Sequence, residues 1–134
     1  MSLTVPVSLL AAHFIGDFIC QTDSMALNKS KSWKALYEHV HVYSTVMGLA
    51  FWWTEGHILC AVYFTCFTFL THFITDAITS RITSKLWFID MEPVTAELWY
   101  AYNTKMHLRH WFFVAIGADQ LIHYVTLALT LRLL

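Results

Sequence analysis

Four apolar stretches, roughly 3–21, 35–54, 57–80 and 110–133, fill most of this 134-residue chain. Each approaches the ~20 mostly apolar residues that cross a bilayer. Backbone in lipid has to satisfy its own hydrogen bonds, so spans of this length are helices. The expected fold class is therefore all-α: a polytopic membrane protein with about four transmembrane helices forming one transmembrane domain over residues 1–134. Composition points the same way, because a chain that is 57% hydrophobic and only 13% charged has too little polar surface for a water-soluble domain of this size. A net charge of −1, with no long basic stripe, argues against a nucleic-acid partner. Cys20, Cys60 and Cys66 form no C-x-x-C pair and read as small apolar filling.

Seven of the eight Lys and Arg residues fall in two connections: Lys29, Lys31 and Lys34 in the first, and Arg81, Lys85, Lys105 and Arg109 in the second. By the positive-inside rule those connections are cytoplasmic, and both termini and the Thr54-Glu55-Gly56 turn are extracytoplasmic. The first stretch lacks a basic leader and a small-residue cleavage site, and reads as a mature helix. Each connection is expected to hold an interfacial helix. In one, Thr22, Asp23 or Ser24 caps a helix running through Met25, Ala26 and Leu27 toward Trp33. In the other, over 86–108, Pro93 starts a helix with Val94, Leu98, Trp99, Tyr102 and Met106 at helical spacing. Membrane lipids are the expected partners, with Lys29, Lys31 and Lys34 placed to hold an anionic headgroup; a homo-oligomer stays open.

Three aspartates lie inside the spans, and each has a histidine four residues away: His13 with Asp17, His72 with Asp76, and Asp119 with His123. That spacing puts imidazole and carboxylate on one helical face. Span two adds His39, with Glu38 and His41 nearby. An intramembrane aspartate costs about 2.5–3.5 kcal/mol on insertion scales, and three of them exceed what polar contacts between helices require. Depth along the helices puts His13, Asp17, His39, His72 and Asp76 at similar levels, with Asp119 and His123 somewhat deeper. Leu127 is expected to face lipid. The runs His13-Phe14-Ile15-Gly16-Asp17 and His72-Phe73-Ile74-Thr75-Asp76 are nearly the same text, which suggests a tandem two-hairpin repeat with a site at the repeat interface.

The compound pattern His13-x-x-x-Asp17-Phe18-x-x-Gln21-Thr22-Asp23-x-Met25-Ala26, Asn28-Lys29-x-Lys31-Ser32, Leu36-x-x-His39, Thr71-His72-Phe73-x-x-Asp76 and Asp119-Gln120-x-x-His123 resembles a family of small polytopic membrane proteins of unknown function found in bacteria and their phages. The resemblance runs from His13 to His123 and leaves out 86–108. It implies a multi-span protein of the bacterial inner membrane, or phage-encoded within it, with these polar residues as the shared core. It implies no activity.

Imidazole and carboxylate together suit a divalent transition metal, zinc before others, and argue against calcium and copper(I). His13, Asp17, His39, His72, Asp76, Asp119 and His123 are the candidate ligands, numerous enough for one or two ions. Asp17, Asp76 and Asp119 are the candidates for catalytic proton transfer. The leading expectation is a membrane-embedded metal-dependent hydrolase acting on a lipid or another membrane-delivered substrate. The alternatives are a metal-ion or proton transport protein, a haem protein using His13 and His72, or a structural or partner-binding protein.

Overall fold

The computed structural model describes residues 4–90 and 99–133, with side chains over 7–87 and 110–133. Every element among the described residues is helical: α1 (Thr4–Phe14) running into a π-helical turn (Ile15–Ile19), α2 (Asp23–Asn28), α3 (Trp33–Glu55), α4 (Ile58–Asp90) and α5 (Trp99–Leu133). Two of these helices, over Ile58–Trp87 and His110–Leu133, are long and apolar enough to cross a membrane.

Local chemistry sets the ends. The Thr22 hydroxyl accepts from the Met25 N–H and starts α2, and the Ser32 hydroxyl accepts from the Ala35 N–H and starts α3. Gly56 closes α3 at φ 73°, a left-handed conformation that glycine adopts without strain, and its N–H bonds the Trp52 carbonyl. The expected helix from Thr22 toward Trp33 stops at Asn28, because the Lys31 and Ser32 N–H groups turn back onto the Asn28 carbonyl. The separate helix expected over 86–108 is also corrected: 86–90 continues α4 and 99–108 opens α5, with no helix breaker in 81–90 to end α4 near residue 80. The Pro93 start lies outside the described residues.

α3 packs against α1, α2 and α4, and α4 packs against α5. At one level the contact is apolar, formed by Leu9, Ala12, Met47, Phe51, Ala61 and Phe64, with Phe51 and Phe64 stacked at 4.5 Å. Leu127 joins this core instead of facing outward, since it sits four residues from the buried His123 and shares its face. Gly48 lets α3 approach α4 so closely that a Cβ there collides with the Thr65 hydroxyl. Gly48→Ala is therefore expected to lower stability by about 1–3 kcal/mol, the usual effect of overpacking. Thr65→Ala should restore part of the loss in detergent unfolding measurements, and an unchanged single variant would overturn the close-packing account.

The two near-identical runs have different backbones. His72–Asp76 is regular α-helix, where the Thr75 hydroxyl bonds the Thr71 carbonyl at 2.9 Å. In the first run the helix widens into the π turn, and Gly16 lies against Tyr43 with a Cβ position only 3.1 Å from the ring. π turns of this kind are uncommon and gather at functional sites.

Candidate metal centre

Beside the apolar core, a set of ionisable residues is buried while many large apolar side chains are exposed. His13, Asp17, His39, His72, Asp76 and His123 are all buried, while Trp53, Leu59, Tyr63, Leu70, Phe113 and Leu121 are exposed. This inverts the usual arrangement of a water-soluble protein.

Asp76, in the middle of α4, is the hub. Its Oδ2 accepts from the Lys29 ammonium at 3.0 Å and lies 3.2 Å from His39 Nε2. Its Oδ1 lies 3.1 Å from His123 Nε2 and 3.6 Å from His72 Nε2. Asp17, swung inward on the π turn, places Oδ1 3.2 Å from His39 Nε2 and 3.7 Å from His72 Nε2, and the two Nε2 atoms are 3.2 Å apart. The His72 ring is fixed between Tyr43, stacked at 3.7 Å, and His123, stacked at 4.1 Å.

Four donors from Asp17, His39, His72 and Asp76 thus face one point. Bonds of about 2.0–2.1 Å to a tetrahedral ion put its ligand atoms about 3.3–3.4 Å apart. The separations among single atoms of Asp17, His39 and His72, 3.2, 3.7 and 3.2 Å, bracket that edge length, while Asp76 approaches His39 with Oδ2 at 3.2 Å and His72 with Oδ1 at 3.6 Å. Hydrogen bonding accounts for the arrangement poorly. His39 Nε2 faces two carboxylates, another imidazole nitrogen and the Lys29 ammonium at 3.3 Å, and one ring nitrogen cannot serve all four. Asp17 Oδ1 is buried with no hydrogen-bond donor. The donor set fits a divalent transition metal.

Asp76, Asp119 and His123 form a second group. His123 Nε2 is 3.3 Å from Asp119 Oδ1, which has no hydrogen-bond partner of its own. Depth along the chain placed Asp119 and His123 further in than the rest. Packing of α5 along α4 instead brings His123 level with His72 and Asp76. The charges of the two groups also need a cation, for three carboxylates against the single Lys29 ammonium leave two negative charges in a buried site. Histidine protons or one divalent ion would balance them.

His13 stands outside both groups. The π turn removes Asp17 from its face, and the His13 nitrogens bond the Tyr43 hydroxyl at 2.7 Å and Gln120 Oε1 at 2.9 Å. Gln120 then donates to Asp17 Oδ2 at 2.9 Å and Asp119 Oδ2 at 3.2 Å. Two carboxylates fix its amide orientation, so Oε1 must accept from His13 Nε2–H, and His13 Nδ1 accepts from Tyr43. Tyr43, Gln120 and Lys29 complete the cluster; Gln120 and Lys29 belong to the pattern that carries the resemblance, whereas Tyr43 stands in no part of it. The spacing of Tyr43, four residues after His39, was the available signal. The two histidines that a haem would need are not equivalent: both His13 nitrogens are bonded, to Tyr43 and Gln120, while His72 Nε2 faces His39 at 3.2 Å. Glu38 and His41 lie outside the cluster: Glu38 faces Lys34 at 3.9 Å and His41 stacks on Tyr37.

A cavity of about 150 Å³ reaches this cluster, bordered by Asp17, Lys29, Asp76, Asp119 and Gln120. The family described as "Protein of unknown function (DUF3307)" matches residues 5–134. No curated protein and no solved structure matches the chain.

Proposed function

Since the chain belongs to DUF3307, a family whose description assigns no function, its chemistry has to be read from the cluster, and we propose that it is a four-span membrane protein, with both termini extracytoplasmic, that binds zinc and hydrolyses a membrane-delivered substrate. The observation that carries the reading is the set of separations among the Asp17, His39, His72 and Asp76 donors, which suits a tetrahedral ion. The inverted distribution of polar and apolar side chains supports the membrane setting.

The two donor groups differ in a way that bears on catalysis. Asp17, His39, His72 and Asp76 make a complete four-donor set, whereas Asp76, Asp119 and His123 supply three. Catalytic zinc centres keep one position free of protein, so the three-donor group is the reactive one; the cavity borders its Asp76 and Asp119, as it borders Asp17 and Asp76 of the other, and Asp76 is common to both. A divalent ion bound there would supply an activated water and polarise the scissile bond. Asp119 would hold that ion through Oδ1, the oxygen facing His123 at 3.3 Å, and would take up the proton at Oδ2, which the Gln120 amide orients at 3.2 Å. A second reading, metal-ion or proton transport, draws on the hydrogen-bonded path from Tyr43 through His13 and Gln120 to Asp17 and Asp119.

Elemental analysis of the chain purified in detergent is expected to find zinc at one or two ions per chain, with no Soret band. Zinc that cannot be loaded, or that stays at full stoichiometry in His39→Ala and Asp17→Asn, would overturn the proposal. Zinc that moves across vesicle membranes without hydrolysis would favour transport.

A further inference from the structure

Six threonines lie in α4, and five of them spend their hydroxyl on the helix itself: Thr65, Thr71, Thr75, Thr79 and Thr83 each donate to the carbonyl four residues earlier. Thr68 departs from this. Its hydroxyl is buried and has no hydrogen-bond partner in the fold, and the same holds for Nδ1 of His72, one turn further along the same face. Two such atoms side by side are costly unless something meets them both. Both residues border a cavity of about 10 Å³, which Thr71, Thr126 and Thr130 also line. That volume holds about one water molecule, and the lining has enough polar groups to keep it. Thr71, Thr126 and Thr130 give their hydroxyl hydrogens to backbone carbonyls, so toward the cavity they can only accept. A water that donates to these oxygens has its lone pairs left for the Thr68 hydroxyl and for an N–H of His72. The lining is thus short of donors, and a proton on His72 Nδ1 supplies one.

We propose that this cavity is a water site and that Thr68 is a positioning residue of the metal centre: through the water it holds the proton of His72 on Nδ1 and keeps Nε2 bare for the ion. This deepens the zinc reading by naming what orients one of its ligands, and rests on it. Neutral imidazole carries a single proton, so the bond made at one nitrogen decides whether the other can bind a metal. His72 Nε2 is the nitrogen that faces Asp17, His39 and Asp76. Stacking on Tyr43 and His123 fixes the plane of the His72 ring but is indifferent to which nitrogen carries the proton. A partner at Nδ1 settles that choice, and metal-bound histidines regularly have one.

The test uses the full chain in detergent. Zinc affinity is read by isothermal titration, and the tautomer of His72 from the 15N shifts of its ring in the metal-free protein. Thr68→Val, which keeps the shape of the side chain and removes the hydroxyl, should weaken zinc binding about tenfold with no fall in the unfolding temperature in chelator. Thr68→Ser should bind zinc as the wild type does. So should Thr65→Val, since the Thr65 hydroxyl serves its own helix. The wild-type His72 should carry its proton on Nδ1. Equal zinc affinity in Thr68→Val and the wild type, a loss that Thr68→Ser does not recover, an equal loss in Thr65→Val, or a wild-type His72 protonated on Nε2 each overturns the inference. If Thr68→Val fails to fold, the wild-type tautomer and the Thr68→Ser affinity decide. In a chain that cannot be loaded with zinc, an Nδ1–H tautomer that is lost in Thr68→Val upholds the water site and refutes the metal reading alone.

Discussion

Asp76→Asn is expected to abolish metal binding at both donor groups together, weakening affinity by more than about 100-fold, since losing even an outer hydrogen-bond partner of a ligand costs about 10–100-fold. Asparagine keeps the size of the side chain but loses the charge and one oxygen acceptor. Among the described residues Asp76 alone belongs to both groups, with Oδ2 toward His39 and Oδ1 toward His123. Asp17→Asn should therefore affect the four-donor group, and Asp119→Asn the three-donor group. Isothermal titration with zinc, alongside elemental analysis, separates these patterns. Wild-type binding by Asp76→Asn would remove this aspartate from the centre. The substitution also strands the Lys29 ammonium, so a general loss of folding has to be distinguished from a loss of ligation. Lys29→Gln/Asp76→Asn removes one charge of each sign and leaves the site's net charge as in the wild type, so that double variant should recover its unfolding temperature while still failing to bind metal.

Lys29→Gln alone is expected to act in opposite directions on stability and on metal. Breaking a buried ion pair from one side costs about 3–5 kcal/mol. Lys29 keeps 19% of its side chain exposed, which puts the loss for the metal-free protein near the lower figure. The ammonium and a metal ion seek the same atoms, Asp76 Oδ2 and His39 Nε2. Removing the ammonium should therefore strengthen zinc binding by about tenfold or more, with zinc restoring the lost stability by mass action. Unfolding temperatures in chelator and in zinc provide the check. Weaker zinc binding in Lys29→Gln would show that the lysine supports the centre, and would refute the competition.

Much of the helical pattern was legible because apolar length is a strong signal. The limits of α3 fell within two residues of the expected span, helped by Ser32 and Gly56 at its ends. The His/Asp pairs were legible as well, since spacing by four residues on an apolar background has few uses. The sequence could not give the contacts between helices. Spacing pairs His13 with Asp17, whereas the fold gives His13 to Tyr43 and Gln120 and gives Asp17 to His39 and His72. The lysines read as one headgroup-facing set, yet Lys29 turns inward to Asp76, a partner 47 residues away that no local pattern could indicate. Leu127 shows a smaller version of the same gap: its own residue type said lipid, and its position relative to His123 said core.

The π turn at Ile15–Ile19 also changes how the two halves of the chain can be compared. An α-helix advances about 100° around its axis per residue, so one wider ring of hydrogen bonds rotates the residues after it by up to that amount. Letters that align one for one, His13 on His72 and Asp17 on Asp76, consequently do not superpose as atoms. Asp76 remains 3.6 Å from the histidine of its own helix, while Asp17 reaches only side chains of other helices. The duplicated motif is thus a homonym: one spelling with two meanings, in which Asp76 ties α4 to its neighbours and Asp17 closes the ring from the opposite wall.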